Sequence, residues 1–257
     1  MKRALALLLC PAIASLALAA SAPNATAPAV APPVATAGLQ ARTLAPFSAR
    51  YAVFRGGDPL GDATMKVVKL DGARWRVDLS IRASHGLLRI AGLNLQQSTL
   101  FTVDGAGYRP LTQSTVRHAL FSNKQTTGIY DWATHKAQWQ GDVKKTRRAP
   151  VALQDGDMSG LLINLAVLRD AQPGVNLHYR FVDDGRVREH QYVVAQQREP
   201  QSVEDIGYEA MRVTRVHAGG DETVLWVVEG VPTPIRILQR EGGEDTLDLR
   251  LVEYTGA

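Results

Sequence analysis

The chain has 257 residues, of which 45% are hydrophobic and 21% charged, and its 29 Lys and Arg residues against 25 Asp and Glu residues give a formal charge of +4. These proportions are typical of a soluble globular protein. A chain of this length can bury a large core, so its stability requires neither disulfides nor a structural metal.

The N-terminus has the pattern of a secretory signal peptide over residues 1–22. An uncharged, mostly apolar run over residues 4–20 follows Lys2 and Arg3, and the small residues that end the run are typical of a cleavage site. An uncleaved membrane anchor is the alternative, but Pro11 interrupts the run and its apolar part is short for a span of about 20 residues. We therefore predict an exported protein with no transmembrane span after cleavage.

The single cysteine, Cys10, lies inside this apolar run, so the exported chain carries no thiol. This excludes a cysteine enzyme, a thiolate metal site and a disulfide framework. Residues 23–45 are rich in Ala and Pro, and Arg42 is their single charged residue. That composition predicts a disordered tether.

Residues 46–257 are predicted to form a single β-rich domain. The pattern is clearest at residues 74–82, where apolar residues such as Trp75 and Leu79 alternate with polar ones, as in a strand with one buried face. Similar runs predict strands at Phe47–Arg55, Ala63–Leu70, Leu93–Val103, Tyr108–His118, Gln125–Trp132, Val175–Val182, Val187–Gln196, Glu209–His217, Thr223–Val228, Pro234–Arg240 and Thr246–Tyr254. Short turns such as Asp184-Gly185 join antiparallel neighbours, which favours a meander.

One helix is predicted from Asp157 to Asp170, where apolar residues recur three and four positions apart. Asp155 or Asp157 can cap its first turn, and Pro173-Gly174 ends it. A dozen strands cannot form one flat sheet, because twisted open sheets of more than about ten strands curl or split. We therefore predict a mainly β fold, an antiparallel meander that forms a strongly curved sheet or incomplete barrel, with the helix covering a mouth or an edge.

Short motifs are distributed along the whole predicted domain. They are Pro46-Phe47-Ser48-Ala49-Arg50-Tyr51, Gly57-Asp58-Pro59-Leu60-Gly61, Ser84-His85-Gly86-Leu87, Gln97-Ser98, Gly107-Tyr108-Arg109-Pro110 and Gly230-Val231-Pro232-Thr233-Pro234-Ile235. Together with the helix, they resemble domain-of-unknown-function family 3108 from Pro46 to Tyr254. The resemblance implies an exported protein of a Gram-negative bacterium, located in the cell envelope, with a β-rich fold. It implies no established activity and supplies no catalytic residues.

The six histidines do not form a metal-binding pattern, since none stands in an H-x-H, H-x-x-H or H-E-x-x-H spacing. His178 and His190 flank the Asp184-Gly185 turn. A two-residue turn pairs position 178 with position 191, which puts His190 on the opposite face of the sheet. We predict surface or cross-strand histidines, with no metal site and no cofactor.

Ser159 is a candidate nucleophile. It lies at the start of the predicted helix, where free backbone N–H groups could stabilise an oxyanion. The surrounding residues do not form G-x-S-x-G, and spacing identifies no base. A serine hydrolase is therefore the third of our hypotheses, and we expect a protein that is not an enzyme.

A basic patch raises the possibility of a nucleic-acid partner. It consists of Lys144, Lys145, Arg147 and Arg148, with Trp132 and Trp139 nearby. Alternation over residues 143–149 favours a solvated edge strand instead. Lys2, Arg3 and Arg42 are the basic residues before the domain, and no acidic residue precedes Asp58, so the domain carries 26 basic and 25 acidic residues. A nearly neutral domain predicts no nucleic-acid partner.

The interior of the predicted barrel is the candidate ligand site. If the barrel is open, strand residues line an apolar cavity and one face of the helix forms its lid, while the apolar turn from Gly86 to Leu93 is either a binding mouth or a plug. These ligand-binding candidates are Trp75, Leu79, Leu87, Leu88, Leu95, Leu161, Leu162 and Leu165. The preferred hypothesis is a periplasmic, non-enzymatic binding or carrier protein for a lipid-like or apolar ligand. The alternative is an envelope assembly factor that binds a protein partner through this turn or an exposed strand edge.

Overall fold

The structure is a computed structural model, and it describes residues 43–86, 94–105, 107–119, 122–217 and 221–256. The predicted signal peptide and nearly all of the predicted tether lie outside the described residues. The same is true of Leu87 and Leu88.

The described residues form fourteen strands, one α-helix and one short 3-10 turn. The strands are β1 Phe47–Arg55, β2 Asp58–Lys69, β3 Arg74–Ala83, β4 Asn94–Asp104, β5 Gly107–Ala119, β6 Ser122–Asp131, β7 Lys136–Gly141, β8 Val151–Ala152, β9 Asn176–Asp183, β10 Arg186–Val203, β11 Ile206–Val216, β12 Glu222–Val227, β13 Arg236–Glu241 and β14 Glu244–Gly256. The helix, α1, spans Gly160–Asp170, and the 3-10 turn spans Lys145–Arg147.

All fourteen strands belong to one sheet in which every pair of neighbours is antiparallel. The order is β8-β7-β6-β5-β4-β3-β2-β1-β14-β13-β12-β11-β10-β9, so β1 and β14 pair in the middle and β8 and β9 form the two edges. The β9–β10 turn is an example of the short connections between neighbouring strands. Asp184 and Gly185 both have positive φ angles, 50° and 67°, and Asp183 pairs directly with Arg186. These are the features of a tight hairpin turn, and the predicted antiparallel meander is confirmed.

The sheet curves far enough to bring its two edges close together without closing. In the described part of the chain, β8 and β9 do not pair. Residues 153–158 lie between them, where the Met158 N–H donates to the Arg180 carbonyl oxygen at 3.0 Å and the Val182 N–H donates to the Met158 carbonyl oxygen at 2.9 Å. Tyr130 of β6 also reaches β9, since its Oη donates to the Val182 carbonyl oxygen at 2.7 Å. The predicted incomplete barrel is confirmed.

The helix α1 lies on the concave side of the sheet. It packs against the edge strand β9 and also against β3, β4 and β5, so it covers an edge, as predicted, and bridges the two halves of the sheet. Its buried residues are Leu161, Leu162, Ile163, Leu165, Ala166, Val167 and Leu168. A helix that buries so many of its eleven residues has apolar neighbours on more than one face.

The beginning of α1 differs from the prediction. The helix starts at Gly160, with Ser159 at the N-cap position, and neither Asp155 nor Asp157 caps it. Asp157 instead accepts a hydrogen bond from the Gln154 N–H at 2.8 Å and forms an ion pair with Arg180. The predicted cap is therefore wrong, because this carboxylate closes a turn and pairs with β9 rather than with the helix.

The predicted edge strand over residues 143–149 is also wrong. Val143 is buried in a small apolar cluster, and the following residues form the 3-10 turn, from which Arg147 makes an ion pair with Asp184. A Cβ atom at Gly185 would lie 2.0 Å from the Arg147 carbonyl oxygen. The 3-10 turn therefore packs against the β9–β10 hairpin. Val143 is the buried residue of this segment, and the residues after it do not form a β-strand.

Candidate ligand-binding interior

Six of the predicted lining residues lie in one continuous apolar core. Trp75 and Leu79 of β3 are buried there, and Leu95 of β4 packs against the same core while remaining partly exposed. The three predicted helix residues, Leu161, Leu162 and Leu165, belong to this core as well. The sheet therefore brings these six side chains together on its concave side. Leu87 and Leu88 lie outside the described residues.

Both ends of this interior are less completely covered than the middle, and one of the two ends also carries polar residues on the concave side. Because all neighbouring strands are antiparallel, β3, β9, β11 and β13 finish at the same end of the sheet, where β4, β10, β12 and β14 begin. We call this end the open end. Ala83, Leu95 and Leu247 lie near it and are only partly buried, although each packs against the core. Apolar surface is thus available there beside a buried interior.

Polar residues also reach the concave side near the open end. Tyr192 of β10 is buried and pairs with Arg215 of β11, which in turn pairs with Thr223 of β12. Directly paired residues in an antiparallel sheet point to the same face. Arg215 therefore shares the concave face with Tyr192, and the continuing cross-strand row, through Gln239 to Leu247, carries no acidic residue.

The Arg215 side chain lacks a partner within the described residues. Its Nε is buried and has no hydrogen bond, and burial lowers the pKa of the guanidinium. The neighbouring Tyr192 has its pKa raised to about 12, also by burial, so its phenol is neutral at physiological pH. An arginine without a counter-charge in such surroundings attracts an anion.

His190 lies two residues before Tyr192 on the same face of β10. Its side chain is 5% exposed and stacks on Phe181 with ring centroids 4.5 Å apart. Neither ring nitrogen has a hydrogen-bond partner among the described residues. Burial, with smaller contributions from Arg215 and His217, lowers its pKa to about 4. The ring is therefore neutral at pH 7, with one N–H donor and one acceptor left unused.

The sequence predicted the side of the sheet on which His190 lies but not its surroundings. Gln191 pairs with His178, and His190 pairs with Tyr179, which confirms the predicted opposite faces. The prediction of a surface or cross-strand residue did not anticipate a buried imidazole whose two nitrogens have no hydrogen-bond partner among the described residues. The available signal was the alternation of His190, Tyr192 and Val194, three residues that are all buried.

Ser159 is buried at the N-cap position of α1, and the hydrogen-bond partner of its side chain among the described residues is another hydroxyl. Its Oγ is 3.0 Å from Thr99 Oγ1. A nucleophilic serine needs a base within hydrogen-bond reach. The geometry thus agrees with a structural contact between the helix and β4.

A polar depression on the same end of the sheet is lined by charged residues that already pair with one another. Its volume is about 830 Å³. Arg240 in its wall contacts Glu222 at 2.9 Å and Asp245 at 2.6 Å. Because these charges are mutually compensated, the depression is a weaker candidate for ion binding than the concave side around Arg215. Over the described ranges, no group of three His, Cys, Asp or Glu residues is placed to hold a metal.

The depressed pKa of His190 predicts a pH-dependent stability. Between the unfolded value of 6.5 and the native value of about 4, the unfolded chain binds a proton that the native state excludes. The native state therefore loses stability as the pH falls through this window. We expect the free energy of unfolding to drop between pH 7 and pH 4 by about 3 kcal/mol more in the wild type than in His190→Gln. Urea unfolding of both proteins at each pH measures this difference, and parallel curves would contradict it.

The fold and interior define a barrel-like, antiparallel β protein with a helix on its concave side. Residues 47–250 match the family described as "Protein of unknown function (DUF3108)", and the chain belongs to this family. The resemblance to family 3108 that the sequence motifs indicated is confirmed. No curated protein matches the sequence.

The fold is similar to that of a solved protein, the β-barrel-like protein of domain of unknown function DUF1849 from Brucella abortus. The two share 12% sequence identity with a TM-score of 0.51, and the similarity covers 83% of this chain and 98% of the other. At this level of identity the comparison concerns the fold alone. Within the ranges that the structure describes, no helix is long and apolar enough to cross a membrane.

Proposed function

We propose that this protein is a periplasmic, non-enzymatic binding or carrier protein for a lipid-like or otherwise apolar ligand, which it holds on the concave side of its sheet. The observation that carries the proposal is the apolar interior that continues to the open end. Leu95 and Leu247 leave part of their surface uncovered there, although they pack against the core. Exposed apolar surface next to an interior is the environment in which an apolar ligand gains most from leaving water.

The energy available to such a ligand is large enough for specific binding. Each buried methylene contributes about 0.8 kcal/mol, so a chain that inserts ten methylenes gains about 8 kcal/mol before the cost of its ordering. A barrel-like sheet supplies this burial by curving around the ligand. The position of Ser159 beside Thr99 supports binding over hydrolysis.

The periplasmic location rests on the N-terminal sequence. Residues 1–22 have the charge and hydropathy pattern of an export signal. An exported carrier without cysteine beyond Cys10 must remain folded through packing alone, which agrees with the extensive buried core of the described domain. Fractionation of cells that express the full chain tests the location, and recovery of the uncleaved chain in the cytoplasm would contradict it.

A binding titration tests the carrier proposal. We expect the fluorescent apolar probe N-phenyl-1-naphthylamine to bind the protein and hexadecanol to displace it. Leu95→Glu places a charge at the open end and should weaken probe binding by about tenfold or more. Ile129→Glu is the matched control. Because Ile129 is 46% exposed, replacing its side chain exposes little buried apolar surface. Absence of probe binding, or equal binding by both variants, would contradict the proposal.

Exposed apolar residues on the outer face of β10 and β11 favour a second candidate, an envelope assembly factor that binds a protein partner. Val193 and Val216 are exposed, and the pairing of Gln191 with Val216 places both valines on that outer face. Clustered exposed apolar side chains are typical of partner surfaces. A photo-crosslinker at position 193 should then capture one defined envelope protein in cells, and Val216→Glu should abolish the product.

A further inference from the structure

Arg215 and His190 are two polar side chains on the concave side of the sheet. A purely apolar ligand would leave both of them without a hydrogen-bond partner. Arg215 is buried at its Nε without a hydrogen bond, and both nitrogens of the nearly fully buried His190 lack a partner among the described residues. Leaving such groups unpaired in a folded protein costs free energy. Because these unpaired polar groups lie at the edge of an apolar interior, they point to a ligand whose polar group supplies the missing hydrogen bonds.

The residues around Arg215 and His190 favour an anionic ligand group over a neutral or cationic one. Tyr192 and Thr223 flank Arg215 on the neighbouring strands, and neither carries a charge. The concave carboxylates described nearby are already engaged, since Asp183 accepts a hydrogen bond from Gln113 and Asp170 accepts one from Tyr179 at 3.0 Å. Among the described residues, Arg215 therefore presents a positive charge that no carboxylate pairs with. Arg188, on the same face of β10, places its guanidinium 5.7 Å from the Phe181 ring centroid and adds to the positive potential.

We propose that Arg215, assisted by an N–H of His190, binds the anionic head group of an amphiphile whose apolar chain occupies the interior described above. This inference rests on the proposed function and names the chemical class of its ligand, a long-chain acid with a carboxylate or phosphate head. A guanidinium offers a planar pair of donors that matches either head group. The partly buried Leu247 ends the same cross-strand row as Arg215, so head-group and chain contacts lie on one face.

Titrations at pH 8 with hexadecanoate and hexadecanol separate the head group from the chain. Wild-type protein should bind hexadecanoate about tenfold or more tightly than hexadecanol. Arg215→Gln should remove this preference and leave hexadecanol binding unchanged. Arg215→Lys should restore part of it, because the charge returns without the planar pair of donors. Arg82→Gln is the matched control, since Arg82 is exposed on the outer face of β3, and it should change neither affinity.

A second readout addresses His190. Hexadecanoate should shift the imidazole nitrogen resonances of His190 further than hexadecanol does, because a charged carboxylate is a stronger acceptor for its N–H than a neutral hydroxyl. His178, which lies on the opposite face of the sheet and contacts Glu189 at 3.1 Å, serves as an internal reference. Acetate at millimolar concentration should not displace hexadecanoate, because the short anion lacks the chain. If acetate binds as tightly as hexadecanoate, the apolar chain contributes nothing to binding. The proposal of an amphiphilic ligand is then wrong, and the site binds small anions.

The outcomes distinguish the two proposals. If wild-type protein binds hexadecanol and hexadecanoate equally and Arg215→Gln changes neither, the head-group site is wrong and the carrier proposal stands. If wild-type protein binds neither compound, the carrier proposal fails and this inference fails with it. If Arg215→Gln weakens both compounds alike, circular dichroism and thermal unfolding of the variant show whether it is folded. A folded variant with equal losses overturns the role assigned to Arg215.

Discussion

Asp157→Ala is expected to lower the free energy of unfolding by about 3–5 kcal/mol. Asp157 is fully buried, and both of its carboxylate oxygens lie 2.6 Å from Arg180 Nη1. It also accepts the Gln154 N–H at 2.8 Å. Truncation therefore removes the close, buried counter-charge of a largely buried guanidinium, which keeps only a 3.9 Å contact with the half-exposed Glu189 among the described residues, and it removes the acceptor of the turn. The loss falls where residues 153–158 lie between the two edges of the sheet, so it weakens the contact that joins those edges.

Asp155→Ala is the matched control for this prediction. Asp155 lies two residues away in the same segment, its side chain is 82% exposed, and its ion pair with Arg109 is 3.2 Å long. Exposed pairs of this kind contribute about 1 kcal/mol or less. Urea unfolding of the two variants measures both effects. Similar small losses in both proteins would show that the buried pair is not what holds the segment against β9.

Leu162→Ala is expected to cost about 2–5 kcal/mol of unfolding free energy. Leu162 is completely buried in the first turn of α1. Removing the Cγ methine and the two methyl groups there loses their transfer free energy and opens a cavity that a surrounding sheet cannot fully close. Because the helix contacts both halves of the sheet, the loss should affect the whole cooperative transition.

The control for Leu162→Ala is the same substitution at Leu70, which is 36% exposed beyond the end of β2. Its cost should be well under that of Leu162→Ala, since little apolar surface is removed from a packed environment. Thermal unfolding of both variants provides the comparison. Equal shifts in Tm would contradict the position of α1 within the core.

The alternation of apolar and polar residues predicted the sheet well because most strands bury a single face. Phe47–Arg55 was predicted with the observed bounds, and Arg74–Arg82 differs from β3 by one residue. Two strands were missed. β7 has just two buried positions, Ala137 and Trp139, and β8 is two residues long, so neither provides enough repeats for a period to be recognised.

The candidate site was predicted in part. The apolar lining residues share the periodicity of their strands and helix, so their common core followed from the pattern. The surroundings of Arg215 depend on which residues of β11 face which residues of β10, and the register of that pair shifts between Val194 and Arg198. A bulge of this kind cannot be located from one sequence. Whether a buried imidazole has a partner likewise depends on contacts between distant strands.

Native mass spectrometry of the protein purified without detergent from the envelope of a Gram-negative host tests the central claim most directly. The account predicts a population whose mass exceeds that of the polypeptide by that of a lipid-like acid. Leu95→Glu should reduce this population, and Ile129→Glu should retain it. A polypeptide mass without any adduct, both as purified and after incubation with hexadecanoate, would contradict the claim that the concave side of this sheet carries an apolar ligand.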